Sequence, residues 1–273
     1  MTSSLNITAF STRRIRAKPR TVRVAKDFVC PSDLQWAFGA LRLKVEKGDD
    51  LGPHQHIDYG GADFDDDLLN DWGIHHLHLS TSMRPDGFVE RSGPLLFARL
   101  TDNDFYCIKI MMHGGGDNPW SRQELIDIIY QNWPESIDHS RLRGPPGMEV
   151  VGLERLHTDE EIGLLRRKGV YVFTQRADGT THLPIGGGST SAGVSLIVAM
   201  DRDRLHYQCR DLETAIKEKL TERIAVFVKE GKCAPGAQLK FQVKVADGGV
   251  LAVEETSNLE FNLGFQLSVS PIT

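Results

Sequence analysis

The run Trp72-Gly73-Ile74-His75-His76-Leu77-His78-Leu79 sets three histidines within four positions of an apolar segment. Read as a β-strand, it turns alternate side chains to opposite faces, so His76 and His78 look the same way. Two further apolar runs, 95–100 and 105–113, are joined by Thr101-Asp102-Asn103-Asp104 and read as a hairpin. Strict alternation then gives the three strands one oily face made by Leu77, Leu79, Leu96, Ala98, Leu100, Tyr106, Ile108, Ile110 and Met112. The opposite face offers His76, His78, Arg99, Lys109 and His113, interleaved with Leu95, Phe97, Phe105, Cys107 and Met111. Imidazoles and cations gathered on one side of a sheet suit an anionic substrate. A solvated outer face would carry the same residues.

Outward from this sheet the chain alternates element types. Ser32 and Gln35 stand at capping-box spacing before a helix over 33–47, whose stripe is Leu34, Phe38, Leu41 and Val45 and which Gly48 ends. Ser121 and Glu124 repeat the pattern before Leu125, Ile128 and Ile129, a helix suited to cover the sheet's oily face and stopped at Trp133-Pro134. Thr158 and Glu161 open a short helix that Gly169 closes. A second hairpin follows over 170–185, then a long helix over 203–229, then a third hairpin over 239–255 with an edge strand near 259–267. The fold class expected is α+β. Arg143-Gly144-Pro145-Pro146-Gly147 is the predicted linker, giving a basic arm over 1–30, a domain over 31–143 and a second domain over 148–273.

Composition narrows the classes further. The 273 residues are 40% hydrophobic and 25% charged, a globular balance with room for two ordinary domains. Cys30, Cys107, Cys209 and Cys233 form no CxxC pair and no dense disulfide framework, which favours a reducing compartment. No apolar run approaches the roughly 20 residues of a membrane span, and no secretory leader is evident, so no membrane partner and a cytoplasmic location are expected.

Residues 1–26 hold no acid but seven basic residues, Arg13 to Lys26, an arm that could follow a phosphate backbone, remain disordered or act as a transit segment. Residues 58–71 are the converse, with Asp58, Asp63, Asp65, Asp66, Asp67 and Asp71; their spacing is not that of a calcium loop, and a solvated acidic loop is the expectation.

Three constellations compete for chemistry. In the first, His76, His78 and His113 serve as acid, base or phosphate ligands while Arg99 and Lys109 neutralise a phosphodiester. Imidazole titrates near neutrality, and cations supply the electrostatic part of such catalysis. RNA is the natural substrate, because its 2′-hydroxyl is an internal nucleophile and strand cleavage needs no cofactor. In the second, His76, His78 and His113 hold zinc with a water in the open position, making a metal-dependent hydrolase; His54 and His56 are a competing pair. In the third, the chain is a non-catalytic interaction protein; the first reading covers binding as well as cleavage of RNA, and a protein inhibitor or partner is the other candidate partner. Apart from these, Gly187, Gly188, Ser189 and Thr190 offer a weak phosphate-binding loop without the Walker lysine, and a flexible loop preceding the helical region is the favoured reading of them. Cys107, placed on the cationic face, is either an activated thiol or an apolar filler.

The order of the strand Gly73 to Leu79, the strand Leu95 to Leu100 bearing Arg99, and the strand Phe105 to His113 ending in a basic residue resembles RelE-type toxin ribonucleases. The likeness spans about residues 72–113. It implies cleavage of mRNA at the sheet face, with Arg99 matching the family's mid-sheet arginine and His113 its late-strand base, in a toxin or mobile-element defence setting. The family's lysine-rich segment after the last strand is here Gly114-Gly115-Gly116-Asp117.

Overall fold

The computed structural model describes residues 13–60, 66–113, 119–148, 150–191, 194–237, 239–246, 249–255 and 260–266. It has an α+β fold in two compact units, one ending at Arg202 and one beginning at Asp203.

The first unit is built on a four-stranded sheet of order β1-β4-β3-β2, with β1 at Thr21–Val24, β2 at Ile74–His78, β3 at Pro94–Leu100 and β4 at Asp104–Met112. β2, β3 and β4 form the antiparallel meander that the sequence suggests, and β1 lies parallel to β4. Residues 13–26 are therefore not a free basic arm. Arg23 pairs with Asp104 at 2.7 Å, Arg14 with Asp50 at 2.9 Å, and Arg20 donates to the Thr101 carbonyl at 2.9 Å. The acids missing from this segment are supplied by the β3–β4 turn and the loop after the first helix. Residues 1–12 of the expected arm lie outside the described residues.

Both faces of the sheet are covered. Helix α1 (Gln35–Lys47) lays Phe38, Leu41 and Val45 on Leu77, Leu96, Ala98, Phe105 and Cys107. Helices α2 (Asp67–Trp72) and α3 (Glu124–Asn132) cover the other face, where Leu68, Trp72, Leu125, Ile126 and Ile129 meet Ile74, Leu95, Phe97, Tyr106 and Ile108. Two expectations are corrected here. The helix after Ser121 covers the histidine-bearing face, not the oily one, and its start is a short 3-10 turn with no side-chain cap. The alternation also breaks within the hairpin. Phe97 faces Lys109 but Ala98 faces Cys107, a bulge that leaves one extra residue in β4 and swaps the side on which its first half points. Tyr106 and Ile108 thus share the face of Arg99, while Phe105 and Cys107 belong to the α1 side.

The proline-glycine stretch at 143–147 is a bend within the first unit, not its end. Beyond it, Ile162 on helix α4 (Asp159–Arg167), Val172 and Ile185 join the core of Trp72 and Ile74. The short hairpin of β5 (Thr174–Gln175) and β6 (Thr181–His182) sits in this region. The division falls instead inside helix α5 (Leu196–Lys229). In the second unit an antiparallel sheet of β7 (Phe241–Ala246), β8 (Gly249–Glu254) and β9 (Glu260–Gln266) packs Val250, Ala252 and Leu263 against Ile216 and Leu220. Of the expected helical stripe, Leu205 stays half exposed. Among the described residues no helix is long and apolar enough to cross a membrane.

Candidate active site

The middle of β2, at His76, faces a cleft of about 280 Å³, whose walls include His56, Asp66, His76, His113, Trp120 and Arg166. Asp66 organises one side. It is the N-cap of α2, where its Oδ1 accepts from the Leu69 amide at 3.0 Å, satisfying one of the helix's free donors. Its Oδ2 accepts from the Tyr59 hydroxyl at 2.7 Å and lies 3.6 Å from His76 Nδ1. Burial, reinforced by this carboxylate, pushes the Tyr59 phenol well above its usual range, so it stays a donor.

His76 is packed edge-on against Trp120, with ring centroids 4.8 Å apart. Burial, with His56 and His113 adding repulsion, lowers its pKa to about 4, so it is a neutral imidazole at pH 7. The His56 ring stands 6.3 Å from His76 and is also shifted down, by burial and then by Arg91. His113 follows β4 directly, where its amide donates to the Gly93 carbonyl at 2.8 Å, and its exposed ring lies 5.4 Å from Trp120.

The other wall is held by Arg166 of α4. Its Nε donates to Asp71 at 2.5 Å, an Nη1 proton reaches the Trp120 carbonyl at 2.5 Å, and the guanidinium carbon lies 4.0 Å from the centre of the Trp72 ring. Burial pushes the guanidinium down and the Asp71 carboxyl up, and their contact opposes both shifts. Arg166 is only 6% exposed, and its Nη2 has no hydrogen-bond partner. A buried donor left unmet costs about 1–3 kcal/mol.

Of the residues singled out from sequence, His76, His113 and, from the competing pair, His56 line the cleft; His54 and the others do not. His78 lies farther along β2, bonded to the Ser92 backbone, and burial with Arg91 beside it lowers its pKa to about 4. Arg99 is buried on β3 opposite Ile74 and Tyr106, with Nε and Nη1 unpartnered. Lys109 forms an ion pair with Glu124 at the start of α3. The face is consequently not an open cationic surface: helices cover it, and the cleft sets Arg166 and Arg167 against Asp66 and Asp67. Among the described residues no three His, Cys, Asp or Glu side chains converge as metal ligands, so His76, His78 and His113 are not assembled as a zinc triad. Cys107, on the α1 side, is sealed in the core, and burial pushes its thiol up to about 12.

The glycine loop is corrected as well. Gly186 N donates to the Asp71 carbonyl at 2.9 Å, Gly188 N to the Asn70 carbonyl at 2.8 Å, Gly187 N to Pro184 O at 2.9 Å and Thr190 N to Val194 O at 2.7 Å. With those amides committed, Gly187, Gly188, Ser189 and Thr190 do not make a phosphate cradle. The loop is a clamp on the end of α2. A Cβ on Gly186 would stand 2.3 Å from the Leu69 carbonyl oxygen, and Gly73, at φ +64°, closes the same helix in the left-handed conformation.

Tyr59, Asp66, Trp120 and Arg166 were not singled out as site residues by sequence. Asp66 carries a readable sign, an aspartate directly before a helix start. Arg166 carries none, since its partner Asp71 is 95 positions away. Compared with known proteins, the chain matches no family model, no curated protein and no solved structure.

Proposed function

We propose that the cleft cleaves RNA by metal-free acid–base catalysis. The observation that carries this reading is the meeting of three imidazoles, His56, His76 and His113, around one cleft, with the carboxylate Asp66 behind His76. His76, neutral at pH 7, takes the proton of the ribose 2′-hydroxyl as the oxygen attacks the adjacent phosphorus. Asp66 favours the imidazolium that forms, and the phosphate's own negative charge raises the proton affinity of the ring once substrate is bound. His113, at the open side, gives a proton to the departing 5′-oxygen. The products are a 2′,3′-cyclic phosphate and a 5′-hydroxyl. Arg166, fixed by Asp71 and Trp120, offers its unmet N–H to a phosphoryl oxygen as charge grows there. The proposal keeps the late-strand His113 of the RelE-type pattern and drops Arg99, which does not line the cleft.

The test is an oligonucleotide with one ribonucleotide in a deoxy background, incubated with the protein and excess EDTA. Cleavage at the single ribonucleotide, leaving a cyclic phosphate, is the expected result. Intact substrate, or equal cleavage of the all-deoxy control, would overturn the reading.

A further inference from the structure

Beside the cleft lies a second cavity of about 300 Å³, and the two share one wall, His56. Its other walls are of a different character: Pro53, Ile57, the Tyr59 ring and Phe88. They are held by the backbone. The Val89 amide donates to the Pro53 carbonyl at 3.0 Å, which ties the turn bearing Phe88 to the loop bearing His56, and the Phe88 amide donates to Asp86 Oδ1 at 3.2 Å. The polar groups nearby are already committed. Gln55 accepts from the Ile15 amide at 3.2 Å and donates to the Arg13 carbonyl at 3.0 Å, and the Arg14–Asp50 pair at 2.9 Å occupies the rim. What remains is a slot with aromatic and aliphatic walls and few directed hydrogen-bonding groups.

We propose that this cavity receives the nucleobase of the nucleotide whose phosphate lies in the cleft. The inference rests on the reading of the cleft as a ribonuclease site and adds where the substrate's base goes. His56 marks the joint. Its ring lines both cavities and stands 6.3 Å from His76 and 6.5 Å from Tyr59, which are themselves 6.1 Å apart, so a ribose passing His56 would carry a base into the apolar slot and a phosphate toward the imidazoles. A flat heterocycle stacked on the Phe88 ring, with Ile57 and Pro53 among the other walls, is held by its faces. Stacking of this kind is tolerant of base identity, because every base has a π-face and the committed Gln55 leaves little to read an edge. The slot thus sets position along the strand more than sequence.

The experiment measures binding of uridine 3′-monophosphate, adenosine 3′-monophosphate and inorganic phosphate to the full chain by calorimetry, with wild type, Phe88→Ala and Phe88→Tyr. Both nucleotides are expected to bind roughly 10- to 100-fold tighter than phosphate. Phe88→Ala should erase most of that gain without weakening phosphate, and Phe88→Tyr should keep it. Because Phe88→Ala could unfold the turn, magnetisation transfer from bound base protons to the Phe88 ring in wild type gives a second readout. Nucleotides that bind no tighter than phosphate, a gain that survives Phe88→Ala in a folded variant, or no transfer to Phe88 would each overturn the proposal. The two readings fail separately: Phe88-dependent nucleotide binding by a protein that does not cut RNA supports the slot and sinks the cleavage, whereas RNA cutting indifferent to Phe88 sinks the slot alone.

Discussion

His75 and His76 are neighbours on one strand, and burial lowers both to a pKa of about 4, yet they stand in opposite worlds. His75 faces Ala98 on the side sealed by α1, while His76 faces a cleft walled by Asp66, Trp120 and His113. The contrast teaches that a shifted imidazole alone does not mark a site. Access to a cavity, with the Asp66 carboxylate 3.6 Å from the ring's Nδ1, sets His76 apart.

The sharpest way to break that contrast is to remove each ring in turn. His76→Leu is expected to lower RNA cleavage by about 10²- to 10⁴-fold, the usual worth of a positioned acid or base, while His75→Leu leaves the rate within a factor of about two. Equal losses in the two variants would mean that the strand, not the cleft, matters.

The next effect concerns stability. Arg166→Gln leaves Asp71 buried and unpaired, and a loss of about 3–5 kcal/mol is expected in urea unfolding. The double variant Arg166→Gln, Asp71→Asn should lose less than the single one, because no uncompensated charge remains. Strict additivity of the two single variants would show that they do not act as a pair.

Acid unfolding sharpens the comparison from the side of His75. Its folded pKa of about 4 lies below the free value of 6.5, so the unfolded chain binds the extra proton between those limits. The stability contributed is complete above pH 6.5, falls as pH drops and levels off below about pH 4; the loss is about 3 kcal/mol for one such ring. Asp67 and Asp71, raised by burial, act in the opposite direction over the carboxylate range. His75→Leu should make the pH 6.5 to 4 limb shallower, with His76 and His78 still contributing to it, while keeping activity. An unchanged limb would show that His75 is already open to protons.

Smaller effects test what positions the cleft and what does not. Gly186→Ala forces a Cβ into the end of α2 and should cost about 1–3 kcal/mol. Lys109→Ala removes only a partly exposed ion pair with Glu124, so a change below about 1 kcal/mol and no change in cleavage are expected. Measured melting curves and initial rates check both.

How much of this was legible in the sequence depends on distance along the chain. Local signals were readable: the alternation in β2 and β3, the Thr101–Asp104 turn, the stripe of α1, and the capping box of α4, where Thr158 and Glu161 exchange hydrogen bonds as their spacing implies. Parity failed in β4, because a bulge opposite Phe97 and Ala98 leaves no mark in the pattern of apolar residues. The sequence also treated Arg99 and Lys109 as exposed on the strength of their charge, whereas α2 and α3 fold over that face. The cleft itself is assembled from separate stretches of chain, around residues 56, 66, 76, 113, 120 and 166, and no spacing rule connects them.

The most direct test of the central claim is cleavage of a single-ribonucleotide substrate, in EDTA, by wild type and by His113→Ala. His113 is exposed, so its removal should leave the fold intact. The account predicts that the variant melts with the wild type but cuts at least about 10²-fold more slowly; an unaltered rate would contradict it.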